Sequence, residues 1–144
     1  MAKVERSILI NASGDQIDVI TQDGKRLAEW YAGVEKAEPD DVYPNPGGKI
    51  VMTYKSGGAK FDITQTVLEH NAGQSAKYKM EGMITGTNHW VYTPQGEGTL
   101  VKATFDYEMP GGVLGKLADK MVVERMNTEN LEKSLNNLKK LAEG

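Results

Sequence analysis

The chain has 144 residues, and its 17 basic and 20 acidic side chains give a formal net charge of −3. This mildly acidic balance argues against a nucleic-acid partner, and the absence of cysteine excludes a disulfide scaffold, a thiol nucleophile and a cysteine-ligated metal. No apolar stretch approaches the roughly 18 residues of a membrane-spanning helix, so no stable membrane insertion is expected. The sequence predicts one cytoplasmic domain over residues 1–144, long enough for a core that contains a pocket.

The chain begins with a predicted strand and two short helices. Residues 3–11 alternate between apolar and polar side chains, which is typical of a half-buried strand. Residues 13–15 then supply the hydroxyl and carboxylate that cap the free amides at the start of a helix. The apolar spacing that follows predicts two short helices, which are divided by the turn residues 22–24.

The middle of the chain predicts a meander. Short runs rich in Val, Ile, Thr, Tyr and Phe are separated by turn residues at positions 44–48, 56–58, 71–74 and 94–98. A further break is predicted at Gly86. Because loops this short make neighbouring strands antiparallel, residues 33–109 predict about six antiparallel strands.

The last segment predicts a long helix. Residues 113–142 contain one glycine and no proline, and their apolar residues recur at steps of three and four over about 30 residues. Glu124 and Thr128 interrupt this apolar stripe. An antiparallel sheet needs one covered face, and only this helix is large enough to cover it. The predicted fold is therefore α+β, a curved seven-stranded antiparallel sheet wrapped around a long C-terminal helix, with two short helices after the first strand.

This order of elements resembles the START-like superfamily, also called the helix-grip or birch-pollen-allergen-like fold. The matching phrases are VERSILINA (residues 4–12), RLAEWYAGV (26–34), GTLVKATFDYEMP (98–110) and the glycine-led helix that ends near LKKL (138–141). The likeness is closer to the polyketide cyclase/dehydrase and lipid-transport branch. It departs from that branch in the first helix, which lacks the usual proline and aromatic residue. The resemblance implies a ligand-holding cavity between sheet and helix, in a family with varied functions.

The leading interpretation is a protein that binds or carries a hydrophobic or amphipathic small molecule, such as a lipid, a sterol-like compound, a polyketide or an aromatic metabolite. Seven Met and six Tyr beside two Phe favour a cavity, because Met adapts to irregular space and Tyr adds a hydroxyl to an apolar ring. The same residues could instead fill a solid core. The predicted ligand-binding residues are Met52, Tyr54, Tyr78, Met80, His89, Trp90, Ala103, Phe105, Tyr107, Leu117, Met121 and Arg125.

Two other functions stay open at this point. A cyclase, dehydratase or hydrolase on the same scaffold would use His89 or Glu124 as its acid or base. If His89 pairs with Ala103, its side chain lies on the concave face of the sheet. In the other register, the side chain of Trp90 lies there instead. A protein-interaction module, like the co-chaperone and antitoxin-partner relatives, would instead show an exposed apolar patch.

No cofactor or metal site is predicted. The two histidines, His70 and His89, lie 19 residues apart without spaced partners, and His70 is expected to be solvated beside a turn. The glycines at residues 96–98 lack the third glycine and the Lys-Ser/Thr of a phosphate-binding loop. No serine lies in a Gly-x-Ser-x-Gly turn.

Overall fold

Seven antiparallel strands form one curved sheet in the computed structural model, which describes residues 2–56, 59–108 and 120–144. The order across the sheet is β1-β7-β6-β5-β4-β3-β2, so the strands from β2 to β7 form the predicted meander and β1 pairs with β7. The strands are β1 (Ala2–Ile10), β2 (Val34–Pro39), β3 (Lys49–Ser56), β4 (Ala59–Asn71), β5 (Ser75–Gly82), β6 (Thr85–Gln95) and β7 (Gly98–Glu108).

Two short helices follow β1, as predicted. α1 (Gly14–Thr21) begins with a capping box, in which the Ser13 hydroxyl accepts from the Gln16 amide at 3.1 Å and the Gln16 side chain accepts from the Ser13 amide at 2.9 Å. A 3-10 turn (Gly24–Arg26) leads into α2 (Leu27–Trp30). The 3-10 turn and α2 pack against β2, and α1 contacts β6.

The long C-terminal helix α3 (Lys120–Glu143) packs against β1, α1 and α2. Its predicted beginning near residue 113 lies outside the described residues. Leu131, Leu135 and Leu138 are almost wholly buried at helical spacing, and they form the apolar stripe that the sequence predicts. Glu124 and Thr128 are half-buried on the same stripe, so its polar interruption is confirmed.

The junction between β5 and β6 differs from the prediction. β5 ends at Gly82 and β6 begins at Thr85, so Gly86 lies inside a strand and does not divide two strands. Its φ of 147° and the closeness of the β7 backbone explain why glycine occupies this position. The predicted break at Gly86 is therefore wrong, and the two strands are divided at residues 83 and 84.

Candidate functional site

An apolar cavity, which we call the outer cavity, lies between the concave face of the sheet and α3. The cavity is partly open to solvent. Most of the side chains around it are aliphatic or aromatic. The described lining residues are Tyr31, Ala32, Gly33, Tyr54, Lys55, Phe61, Ile63, Met80, Ile84, Phe105, Tyr107, Met126, Asn127, Asn130 and Leu131.

The register of the strands places these side chains on one face. Tyr54 of β3 pairs with Phe61 of β4, and their rings stack with centroids 5.5 Å apart and an interplanar angle of 8°. Gly86 of β6 pairs with Met80 on one side and Tyr107 on the other. Because glycine has no side chain, the sheet presents no bulk between Met80 and Tyr107, and this leaves room for the cavity.

Hydrogen bonds to α3 hold the chain on either side of Tyr31. The Asn137 side chain donates to the Trp30 carbonyl at 3.1 Å, and the Ala32 amide donates to the Ser134 hydroxyl at 2.8 Å. These contacts fix the exit from α2 against the long helix. The Tyr31 ring is thereby positioned at the inner wall of the outer cavity.

A second and more polar cavity, which we call the inner chamber, shares Tyr31 with the outer cavity as a lining residue. The chamber is small and has room for about one water-sized group. Trp30 and Trp90 meet edge to face there, with ring centroids 5.6 Å apart. The described lining residues are Thr21, Leu27, Trp30, Tyr31, Tyr43, Gln65, Tyr78, Asn88, Trp90 and Tyr92.

Hydrogen bonds tie α1 and the residue after it to the sheet beside the inner chamber. The hydroxyls of Thr21 and Tyr92 lie 2.7 Å apart, and the Gln22 amide donates to the Tyr78 hydroxyl at 2.8 Å. Burial raises the pKa of Tyr78 and of Tyr92 above the ordinary range, and the nearby Asp18 carboxylate raises both further. Both phenols are therefore neutral near pH 7.

The phenol of Tyr107 is a buried polar group of the outer cavity. Its hydroxyl has no hydrogen-bond partner of good geometry among the described residues. Burial raises the pKa of Tyr107, the Asn127 side chain lowers it, and the charge of Glu124 raises it. The cavity therefore offers a neutral hydroxyl that can donate to, or accept from, a guest.

The structure brings several of the predicted ligand-binding residues to the two cavities. Tyr54, Met80, Phe105 and Tyr107 line the outer cavity, whereas Tyr78 and Trp90 line the inner chamber. That these side chains contact a ligand stays a prediction.

Several other predicted residues are not among the described lining residues of either cavity. Met52 and Ala103 are completely buried in the core. Arg125 is exposed on α3, and Glu124 is half-buried and close enough to influence Tyr107. Leu117 and the side chain of Met121 lie outside the described residues.

His89 lies on the outer face of the sheet, and not in either cavity. β6 pairs Trp90 with Ala103, while His89 pairs with Thr104 on β7 and Lys77 on β5. Because successive residues of a strand alternate between faces, the buried Trp90 occupies the concave position. The register that would place His89 on the concave face is therefore wrong, and so is its predicted place among the cavity residues.

His70 is also placed differently from the prediction. Its Nε2 atom lies 3.0 and 3.1 Å from the two carboxylate oxygens of Asp18, and the side chains retain 14% and 9% of their exposure respectively. The expectation of a solvated histidine is wrong, because the His70 side chain is paired with Asp18 of α1 and is largely buried. The pair joins α1 to the sheet beside the inner chamber.

We expect His70→Leu to lower the free energy of unfolding by about 1.5 kcal/mol, because it leaves a largely buried Asp18 carboxylate without its partner. Chemical denaturation measures this change. The double variant with Asp18→Asn should recover part of the loss, since an amide is less costly to bury than a carboxylate. A loss that stays the same in the double variant would contradict this reason.

Sequence reasoning missed Gln65 and Asn88, although a signal was present. Gln65 lies between Ile63 and Val67 on the inward face of β4, and Asn88 takes an inward position on β6. A polar residue at an inward position of an alternating strand indicates a partner or a cavity. Tyr31 was missed because it follows a short helix and belongs to no alternating run.

The described residues contain no group of three or more His, Asp or Glu side chains that could hold a metal ion. Among the described helices, none has the length and apolar character that crossing a membrane requires. These findings apply to residues 2–56, 59–108 and 120–144.

Comparison with solved structures confirms the fold. A Thermus thermophilus protein, TTHA0849, superposes with a TM-score of 0.83 at 23% identity, covering 98% of this chain and 97% of the other. A START superfamily protein from Mycobacterium smegmatis gives 0.80 at 16% identity, with 98% and 97% covered. The Zhui aromatase/cyclase from Streptomyces sp. R1128 gives 0.79 at 15% identity, with 99% and 93% covered.

The sequence itself identifies the family. No curated protein sequence matches this chain significantly. The family described as polyketide cyclase / dehydrase and lipid transport matches residues 1–143. With nearly the whole chain matched and the helix-grip fold in place, this protein belongs to the polyketide cyclase / dehydrase and lipid transport family.

Proposed function

We propose that the protein binds a hydrophobic or amphipathic small molecule in the outer cavity. The observation that carries this proposal is the apolar space between the sheet and α3, lined mainly by aromatic and aliphatic side chains. A guest that fills this space removes apolar surface from water, which contributes about 25 cal/mol for each Å² buried. An apolar space of this kind is typical of a ligand-binding site, whereas the interior of a solid core is close-packed.

The shape of the lining favours a guest with a flat or ring-containing body. The stacked rings of Tyr54 and Phe61 form one flat wall. Met80 and Met126 contribute flexible side chains that adapt to irregular outlines. The Tyr107 hydroxyl supplies one polar anchor, which fits an amphipathic guest better than a pure hydrocarbon.

A binding role needs no acid or base in the cavity. The enzymatic alternative relied on His89 or Glu124, and His89 lies on the opposite face of the sheet. Glu124 stays a candidate for that alternative because its charge reaches Tyr107. Carriage and catalysis share the binding step, so we test binding first.

The decisive experiment is native mass spectrometry with a panel of lipids, sterols and polycyclic aromatic compounds, after extraction of any bound molecule. We expect at least one of these classes of compound to bind saturably and with one-to-one stoichiometry. Met80→Trp should weaken that binding at least about tenfold because the larger ring fills the cavity.

His89→Ala is the matched control, since it changes the outer face of the same sheet and should leave the affinity unchanged. Circular dichroism verifies that both variants are folded. If no compound binds, or if folded Met80→Trp binds as tightly as the original protein, the outer cavity is not the binding site.

A further inference from the structure

Three buried polar atoms on the lining residues of the inner chamber have no hydrogen-bond partner among the described residues. They are Nε1 of Trp30, Nε2 of Gln65 and Oδ1 of Asn88, and the three residues are 2%, 4% and 1% exposed respectively. An unpartnered buried polar atom is destabilising, and most such atoms in native proteins are paired. Three on one small cavity therefore indicate that a polar group enters it.

The hydrogen-bonding capacity of these atoms defines that group. The Asn88 amide donates to the Tyr31 hydroxyl at 3.4 Å, which leaves its Oδ1 atom as an acceptor. The chamber thus offers two N–H donors, from Trp30 and Gln65, and one acceptor. A hydroxyl group accepts two hydrogen bonds and donates one, so its hydrogen-bonding capacity matches these three atoms.

Other oxygen groups fit less well. A ketone or ether oxygen accepts from Trp30 and Gln65 but cannot donate to Asn88. A carboxylate also has no hydrogen to donate to Asn88. In addition, the described lining of the chamber contains no cationic side chain to balance its charge. The Asp18 carboxylate, which contributes to the raised pKa of Tyr78 and Tyr92 after burial, makes this region still less favourable for an anion.

We propose that the inner chamber binds a neutral alcohol or phenol hydroxyl carried by the guest of the outer cavity. Trp30 and Gln65 donate to its oxygen, and Asn88 accepts its hydrogen. Among the described residues Tyr31 lines both cavities, so a guest that reaches from one into the other passes beside its ring. This inference rests on the proposed function and narrows its ligand class to hydroxylated apolar molecules.

Two probes of equal shape test the proposal, 2-naphthol and 2-methylnaphthalene, because they differ only in a hydroxyl and a methyl group. Isothermal titration calorimetry gives the ratio of their affinities for the full chain. We expect Gln65→Met and Trp30→Phe each to shift this ratio about tenfold toward the methyl compound, since each removes one donor and keeps most of the side-chain volume.

Gln74→Met is the matched control, because it makes the same change on the exposed turn before β5 and should leave the ratio unaltered. An unchanged ratio in both chamber variants, with both probes still bound, overturns the hydroxyl site and assigns the chamber to a water molecule only. If neither probe binds, and the wider panel also fails, the hydroxyl site and the proposed function both fail.

Discussion

All six tyrosines are expected to ionise at a higher pH in the folded protein than in the unfolded chain, where an exposed phenol has a pKa near 10. Burial is the largest cause of a raised pKa for every one of them, because it disfavours the charged phenolate. The six are Tyr31, Tyr43, Tyr54, Tyr78, Tyr92 and Tyr107.

The effect on stability follows from the direction of these shifts. Below about pH 10 the phenols are protonated in both the folded and the unfolded chain, and their contribution to stability is fully present. At higher pH only the unfolded chain releases these protons. The free energy of unfolding then falls by up to about 1.4 kcal/mol per pH unit for each tyrosine, so several buried tyrosines together cause cooperative alkaline unfolding.

The measurement is an alkaline titration followed by tyrosinate absorbance and far-ultraviolet circular dichroism. The two signals should change together, and the chain in denaturant should titrate near pH 10 as the control. A phenol that ionises near pH 10 without loss of secondary structure would contradict this account. If tyrosinate absorbance and circular dichroism change together, the cavity tyrosines act near pH 7 as neutral hydrogen-bonding groups and not as bases.

The fold could be predicted because its signals are local. Alternation with a period of two indicated the strands, and the spacing of Leu131, Leu135 and Leu138 indicated the covering helix. The register of β6 depends instead on where one turn begins. The pairing of Gln95 with Gly98 leaves two residues in the turn and puts Trp90 on the concave face.

The candidate site was less predictable because its residues meet only in three dimensions. Tyr54, Met80, Phe105 and Tyr107 could be found as inward residues of alternating strands. The contact between Asp18 and His70 joins a helix to a strand 52 residues away, and neither local sequence carries a sign of it. The two cavities also require the exact approach of α2 to α3, which periodicity alone does not specify.

Replacement of Gly86 by alanine is expected to lower the free energy of unfolding by about 3 kcal/mol, a large share of the stability of a small domain. Two costs add at this position. A φ of 147° is unfavourable for any residue with a side chain, and the added Cβ would lie 1.9 Å from the Asp106 carbonyl oxygen. Since that oxygen belongs to the backbone of β7, the two strands must move apart.

Gly96→Ala is the matched control for this prediction. Gly96 also has a positive φ, of 60°, but nothing lies within 4 Å of an added Cβ, so we expect a loss of only about 1 kcal/mol. Denaturant unfolding of both variants measures the difference, and equal losses would rule out the contact with β7 as the cause. Because Gly86 pairs with Tyr107, the shift of β7 should also weaken ligand binding in Gly86→Ala and leave it intact in Gly96→Ala.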